Sequence, residues 1–437
     1  MSGMSTEQIG WVKTALGFDI AAAMNGDAEQ QPSAKPEQPP AAKWPFSSKK
    51  KDKAKDTATG GDGPELALPT DKDLAKKLAT YAEEVSALKG KGFDTKLMEA
   101  ERVDLAAQGI NAEKETDKKA RSKAVAAVKT RVDEEIEHIR ALAKSMKSVM
   151  GKDKGNPSED QKSKIYKKAL EDYYKLEIEV PTGMTNTHFD KVFDMFGSVP
   201  KSHTKQDKMK KLKYNTADIG GLFYYGDCKI EMGNFGDASR EEDYEIGGKT
   251  VKANSFNVTT LHEIGHSVDY KHGIMTANQK KAGCGGWESQ TVDTVAAAFT
   301  EELKKSVTLS DKVTDPMLTA AVSTALSAGT VTQPPEIEDE DWQKILPFLS
   351  SHCLPVRDAA QPYFSDSPVV IGDKAYTESQ GQWWTYSSGA RTATKVNLYQ
   401  WRSPPEWFAE VYAITWLKKQ KPPSGVDAAV AKYCWNG

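Results

Sequence analysis

Two histidines four residues apart, with a glutamate directly after the first, are the residues of this sequence best suited to chemistry. His262, Glu263 and His266 stand in the string LHEIGHSVD. On an α-helix, positions four apart lie on one face, about 6 Å apart along the axis, so both imidazoles can reach a single Zn²⁺. A carboxylate beside that ion can take a proton from water and later give it to a leaving amine. The motif predicts Zn²⁺ as cofactor, His262 and His266 as its ligands and Glu263 as general base.

The sequence on either side of the motif predicts the helix that must carry it. Val258, Leu261 and Val268 recur at helical spacing and give the segment a buried side. Asparagine and serine residues before it can cap the first turn, and Gly273 is a suitable C-terminal stop. We therefore expect the two histidines and the glutamate to lie on a largely buried helix.

The third metal ligand has two candidates, and the first is His272. It follows His262 by ten residues, the spacing of the metzincin pattern H-E-x-x-H-x-x-G-x-x-H. That pattern needs a glycine at its eighth position for a sharp turn, and this chain has Asp269 there. If the helix instead continues to Gly273, His272 faces away from the metal. Because the sequence lacks the glycine needed for this turn, His272 is the less favoured third ligand.

The second candidate is Glu406 in the string PPEWFAE. Pro404 and Pro405 start a helix, which places Glu406 in its first turn and Glu410 on the same face one turn later. A carboxylate ligand from a second helix defines the gluzincin arrangement, in which a further acid can hold a ligating histidine. Glu410 and Asp269 are the candidates for that supporting role. Because the rest of this helix is largely apolar, its acids are expected to have partners.

Together, the strings HEIGHSVD and EWFAE resemble the catalytic domain of the anthrax lethal factor family of toxin metallopeptidases, which has H-E-F-G-H-A-V-D followed by E-F-F-A-E. The resemblance implies Glu406 as zinc ligand and Tyr399, seven residues before it, as the residue that stabilises the oxyanion. Tyr386 and Tyr412 are the next candidates for that donor. The resemblance also implies a toxin or effector that acts on a protein of another cell. It covers well under half of the chain.

The chain departs from that family in one spacing, because 140 residues separate His266 from Glu406. This is far more than the family needs, so we expect an insertion that folds aside. Residues 222–225 and 228–232, joined at Gly226 and Asp227, predict a β-hairpin. In zincin-type domains an edge strand aligns the substrate backbone by strand addition, and we expect residues 228–232 to serve as that strand.

The chain divides into four predicted parts. Residues 1–26 are expected to form a short amphipathic helix, and residues 27–70 a disordered linker rich in proline, alanine, lysine and glycine. Apolar stripes at steps of three and four predict a helical hairpin or bundle over residues 71–162. Residues 163–437 mix helices with short strands. The predicted fold class is α+β, with a zincin-type metallopeptidase domain after the linker and the helical module.

Composition excludes several classes of protein. The 59 lysines and arginines nearly balance the 62 acids, for a net charge of -3, which argues against a nucleic-acid binder. No apolar run reaches the length of a membrane span, so no stable membrane insertion is expected. The N-terminus has no Sec-type signal peptide, which favours the cytoplasm of the producing cell and export by a signal-independent secretion route. The N-terminal region is a candidate for binding a secretion-apparatus or immunity partner.

The sequence thus predicts a zinc-dependent endopeptidase that hydrolyses a protein or peptide substrate. One alternative is a non-catalytic interaction protein in which zinc staples two helices and Cys284 or His352 closes the coordination. Glu263 argues against it, because a structural zinc site needs no general base. The other alternative is a self-processing or housekeeping metalloprotease, with the lysine-rich linker as its own cleavage site.

Overall fold

The computed structural model describes most of the chain after its first 65 residues. The described ranges are 66–153, 155–179, 184–215, 220–233, 241–246, 249–354, 369–379, 381–393, 396, 399–418 and 425–434. The described residues from Leu68 onward belong to one compact unit. The predicted N-terminal helix and linker lie outside the described residues, apart from 66–70. Within the ranges given, no helix combines the length and the apolar character needed to cross a bilayer.

Three helices that pack together open the unit: α1 (Lys72–Lys89), α2 (Lys96–Glu113) and α3 (Lys118–Met150). The carboxylate of Asp71 caps α1 by accepting a hydrogen bond from the Leu74 N–H. The apolar stripe of α1 is buried against its neighbours, as its spacing predicts. Its members are Leu74, Leu78, Tyr81, Val85 and Leu88.

The next helix, α4 (Glu159–Tyr174), packs against α3 and leads into the first sheet. It begins at Glu159 because Ser158 and Gln161 form a reciprocal capping box. Residue 162, where the sequence predicts a domain boundary, therefore lies inside a helix, and the helical module continues directly into the rest of the unit.

The first sheet has four strands in the order β1-β2-β4-β3. Its strands and the two helices between them are β1 (Glu177–Glu179), α5 (Asn186–Gly197), α6 (Lys201–Thr204), β2 (Lys211–Asn215), β3 (Gly221–Tyr224) and β4 (Lys229–Gly233). β3 and β4 form the predicted hairpin, with Tyr224 opposite Lys229. The prediction that residues 228–232 are an edge strand is wrong, because β4 pairs with β2 on one side and β3 on the other. Of the two hairpin strands, β3 is the one at an edge of the sheet in the described ranges, and β1 is at the opposite edge.

A hairpin of β5 (Glu241–Ile246) and β6 (Lys249–Asn254) leads into the motif helix, α7 (Ser255–His272). Asn254 caps α7 by accepting a hydrogen bond from the Asn257 N–H at 3.1 Å. Gly273 ends the helix with φ of +56°, a conformation that favours glycine, and α8 (Ile274–Asn278) follows. The motif helix thus begins and ends as its sequence predicts.

The segment between α8 and the second motif builds a sheet and a core of its own. Its helices α9 (Val292–Ser306), α10 (Asp315–Ala328) and α11 (Asp339–Phe348) bury a shared apolar cluster. Its antiparallel sheet has the order β7-β10-β9-β8. The strands are β7 (Glu288–Gln290), β8 (Val369–Ile371), β9 (Lys374–Ser379) and β10 (Gln382–Ser387), and the short helix α12 (Ala390–Ala393) follows them.

The last helices are α13 (Pro404–Lys418), which carries the second motif, and α14 (Ala428–Cys434). α13 packs along α7, and its residues from Trp407 to Ile414 are almost completely buried. The described chain is a mixture of many helices with small sheets, so the predicted α+β class is confirmed.

Candidate metal centre and cleft

The two motifs meet because α7 and α13 approach closely at Gly265. A Cβ atom at Gly265 would lie 3.1 Å from the Ala409 Cα and 3.2 Å from the Tyr412 Cδ1. Glycine leaves room for the backbone of α13 at this crossing. The Tyr412 hydroxyl also lies 2.9 Å from the His203 Nδ1, which connects α13 to α6. The glycine inside the HEIGH string thus has a packing function that brings the second motif to the first.

Three side chains converge between these helices with their ligand atoms in mutual contact. The Glu406 Oε2 lies 3.0 Å from the His262 Nε2 and 3.3 Å from the His266 Nε2. The two Nε2 atoms are 3.0 Å apart. Tetrahedral zinc with bonds of 2.0 to 2.1 Å places its ligand atoms roughly 3.3 Å from one another, so the spacing suits such an ion. His262, His266 and Glu406 are therefore a buried group that could bind a metal ion.

The other candidate ligands lie elsewhere. α7 remains helical as far as His272, its last residue. His272 is exposed, and its ring centroid lies 4.8 Å from that of Tyr433. The His352 ring stacks on Phe348, next to the core of α9 to α11. Within the described ranges, the metal-ligand group includes neither of these histidines nor Cys284. One coordination position of a four-ligand ion would therefore be left for water or substrate.

The second nitrogen of each histidine has an oxygen nearby. The His262 Nδ1 lies 2.9 Å from the Glu410 Oε1, and the His266 Nδ1 lies 3.3 Å from the Tyr225 hydroxyl. Such partners set the ring orientation and tautomer of a ligating histidine. Asp269 has a different contact, because its carboxylate accepts a hydrogen bond from the Met275 N–H at 2.8 Å. Asp269 therefore stabilises the turn after α7 through this hydrogen bond.

Burial and charge act differently on the two carboxylates of the site. Burial raises the pKa of Glu263 to about 7, although the neighbouring His262 and His266 favour its charged form. Burial also opposes ionisation of Glu406, yet the two imidazoles hold the pKa of its carboxyl well below its usual range. Among the described residues, none forms a hydrogen bond with the buried Glu263 Oε2. Glu406 is thus electrostatically suited to bind a cation, and Glu263 has a free oxygen for a proton.

The group opens into a cleft of about 230 Å³. One wall is the edge strand β3, and the other comes from the segment between the motifs. The lining residues from that segment are Ser379, Gln382, Trp384, Tyr399 and Ser403. Neighbouring residues of β10 point to opposite faces, so Trp383 fills the core of the segment while Trp384 reaches the cleft. The segment thus folds into a core of its own, as expected, and in addition forms a wall of the cleft.

Tyr399 lines the cleft beside the metal group. Its hydroxyl lies 3.5 Å from the Glu406 Oε1, and the Arg402 guanidinium lies 4.8 Å from its ring centroid. Burial and the nearby Glu406 raise the pKa of Tyr399 above its usual range, which keeps its proton available for donation. Tyr386 lies outside the cleft, with its ring centroid 4.7 Å from those of both Trp287 and Trp401.

Gly221 and Tyr225 are among the cleft residues that the sequence analysis did not assign to the site. A Cβ atom at Gly221 would lie 2.3 Å from the Glu263 Oε1 and 2.5 Å from the Thr259 Cγ2. Glycine at a strand often marks a close approach of another segment, so its position directly before the predicted strand 222–225 was an available signal. Tyr225 lacked any such signal, because one tyrosine among several aromatic residues has no distinguishing pattern.

Gly221→Ala is expected to displace Glu263 while leaving the metal ligands in place. If the site is catalytic, turnover should fall at least about tenfold, because a misplacement of roughly 1 Å can cost up to 100-fold. Zinc content should stay close to wild type, while the overlap with Glu263 and Thr259 should lower the folding stability by about 1 to 3 kcal/mol. The matched control is Gly226→Ala, because a Cβ atom there meets nothing within 4 Å. Equal turnover in both variants would show that Glu263 tolerates the added methyl group.

No protein-family model, no curated protein and no solved structure matches this chain. The fold and the site define a mixed α+β protein with a buried His-His-Glu group that could bind a metal ion. A function for this protein must therefore be inferred from the chemistry of the His-His-Glu group and its cleft.

Proposed function

We propose that this protein is a zinc-dependent endopeptidase with a zincin-type catalytic domain, and that it hydrolyses a protein or peptide substrate. The observation that carries the proposal is the unpartnered, buried oxygen of Glu263 next to the three ligand atoms in a cleft. A buried carboxylate oxygen without a hydrogen bond costs free energy, so its presence at this position needs a reason. Proton transfer to and from a substrate supplies that reason.

Each residue of the site has a role in this proposal. His262, His266 and Glu406 hold the ion, and bound Zn²⁺ supplies the Lewis acidity that acidifies water and polarises a carbonyl. Glu263 takes the proton of the attacking water and passes it to the leaving amine nitrogen. The Tyr399 hydroxyl donates a hydrogen bond to the substrate oxygen that gains negative charge.

The edge strand β3 is suited to hold an extended substrate. It is the outer strand of its sheet, and Gly221, Leu222 and Phe223 line the cleft. An unpaired edge can align a peptide by main-chain hydrogen bonds, while alternate side chains enter pockets. β3 replaces residues 228–232 in this role, because β4 has no free edge.

The non-catalytic alternative, in which zinc only staples two helices, is less well supported. A structural zinc site is closed by four protein ligands, and three ligand residues form the group in the described ranges. The cleft over the group and the free oxygen of Glu263 favour an open, reactive position.

A toxin or effector role follows from the resemblance of the two motifs to the lethal factor family. We extend the proposal to a protein substrate in another cell, reached by a signal-independent route from the producer's cytoplasm. A secretion or immunity partner would then bind the N-terminal region.

The test of the proposed function is a search for new N-termini in a proteome extract by mass spectrometry. The extract is incubated with wild type, with Glu263→Gln, and with wild type plus a chelator. New termini are expected with wild type alone, and added Zn²⁺ should restore them after chelation. The same termini with wild type and Glu263→Gln, or none with wild type, would contradict peptidase activity.

Tyr399→Phe tests the donor to the oxyanion. Loss of one such donor is expected to lower turnover roughly 100- to 1,000-fold, or about 3 to 4 kcal/mol, because the bond acts mainly in the transition state. Zinc content and substrate affinity should hardly change, since the ring and its packing remain. Tyr386→Phe, outside the cleft, is the matched control and should be nearly silent. A loss below about threefold would remove Tyr399 from the mechanism. Tyr412 is not a substitute donor, because its hydroxyl lies 2.9 Å from the His203 Nδ1 and it does not line the cleft.

A further inference from the structure

The two ligating histidines differ in what supports them. The His262 Nδ1 faces a carboxylate, Glu410, at 2.9 Å, whereas the His266 Nδ1 faces the hydroxyl of Tyr225 at 3.3 Å. When an imidazole binds a metal through Nε2, its Nδ1 carries the proton and needs an acceptor. The Tyr225 oxygen is placed to accept a hydrogen bond from the His266 Nδ1–H.

Tyr225 is held in place from two sides. It directly follows β3, so the edge strand sets its backbone position. Its ring makes edge contacts with Phe223 and Tyr270, at centroid distances of 5.1 and 5.2 Å. The Lys208 ammonium lies 4.9 Å from the Tyr270 ring centroid and covers the outer side of this aromatic cluster.

We infer that Tyr225 is a positioning residue for the metal centre, which holds the His266 ring by accepting the hydrogen bond from its Nδ1–H. It is thus the counterpart of Glu410 on the other histidine. The inference rests on the metal site of the proposed function and is independent of peptidase activity. It also links the substrate-facing edge strand to a metal ligand, because the residue after β3 orients His266.

The matched variants are Tyr225→Phe and Tyr224→Phe. Both remove one hydroxyl from adjacent residues, and the Tyr224 ring contacts the Lys229 ammonium at 4.0 Å instead of a histidine. The Kd of the intact chain for Zn²⁺ is measured by competition with a chromophoric chelator. Loss of an outer hydrogen-bond partner typically weakens metal affinity roughly 10- to 100-fold, and this is expected for Tyr225→Phe. For Tyr224→Phe the Kd should stay within about twofold of wild type.

Two further readouts separate positioning from general stabilisation. The metal-free melting temperature of Tyr225→Phe should equal that of wild type, while the increase on adding Zn²⁺ should be smaller. In a His266→Ala background, Tyr225→Phe should have no further effect on residual zinc binding, because its partner is already absent.

The inference is overturned if Tyr225→Phe leaves the Kd for Zn²⁺ within about threefold of wild type, whatever happens to turnover. It is also overturned if Tyr224→Phe weakens the Kd equally, if the metal-free protein is destabilised to the same degree as the zinc-bound protein, or if wild type binds no Zn²⁺. A wild type that binds zinc but cleaves nothing would contradict the proposed peptidase activity, and the Kd comparison would still decide the role of Tyr225.

Discussion

Glu263→Gln is expected to bind one Zn²⁺ per chain with an affinity near that of wild type, and to lose nearly all turnover. Positioned proton transfer typically contributes roughly 100- to 10,000-fold, and the loss should fall at the upper end because one carboxylate serves as both base and acid. Glutamine keeps the shape of the side chain but cannot accept the proton. Since Glu263 is outside the ligand group, the ion should stay bound.

The measurement is kcat/KM on a peptide from a cleavage site found in the proteome extract, beside the zinc content of each preparation. Glu406→Gln is the informative contrast, because it alters a carboxylate of the same site that serves as a ligand. Glu263→Gln should keep its zinc content and lose turnover, whereas Glu406→Gln should lower both zinc content and turnover. Turnover of Glu263→Gln within about tenfold of wild type would exclude its role as general base.

The parts of the fold that follow a local pattern could be predicted from the sequence. The period of Leu74, Leu78 and Tyr81 predicts the buried face of α1, because such a stripe must be covered. Gly273 predicts the end of α7, because few other residues adopt a positive φ at low cost. The four-residue spacing of His262 and His266 sets their shared face before any tertiary contact forms.

The order of strands in the first sheet could not be predicted in the same way. The hairpin of β3 and β4 is a local feature, and its turn is visible in the sequence. Which of the two strands is outermost depends on where β2 pairs, and that pairing joins residues distant along the chain. The edge was therefore assigned to the wrong strand of the hairpin.

The second wall of the cleft shows a similar limit. The aromatic residues of β10 alternate between the core and the cleft, so Trp383 and Trp384 look equivalent in the sequence although they have different surroundings. The excess length between the motifs gave no information on where that segment packs. Likewise, the closeness of Gly221 to Glu263 depends on how the sheet lies over α7, which no local pattern encodes.

The choice between the two possible third ligands has a consequence for metal content. Glu406→Ala is expected to lose Zn²⁺ on purification in the presence of a weak chelator, and His272→Ala to retain about one ion per chain. Structural zinc sites bind with roughly 10 to 16 kcal/mol from four ligands, so one ligand accounts for about 2.5 to 4 kcal/mol, or a roughly 60- to 700-fold weaker Kd.

The two variants should differ in zinc content because of where α7 ends. The helix continues past Asp269 to His272, whose exposed ring lies against Tyr433 and cannot turn back to the ion without unwinding the last turn. Glu406, in contrast, is held within 3.0 and 3.3 Å of the two histidine nitrogens by the close packing of α13 on α7. Metal analysis of the purified variants and a chelator titration of the Kd provide the measurement. If His272→Ala loses the ion while Glu406→Ala keeps it, the end of α7 must unwind in solution to bring His272 to the metal, and Glu406 is then only a neighbour of the two histidines.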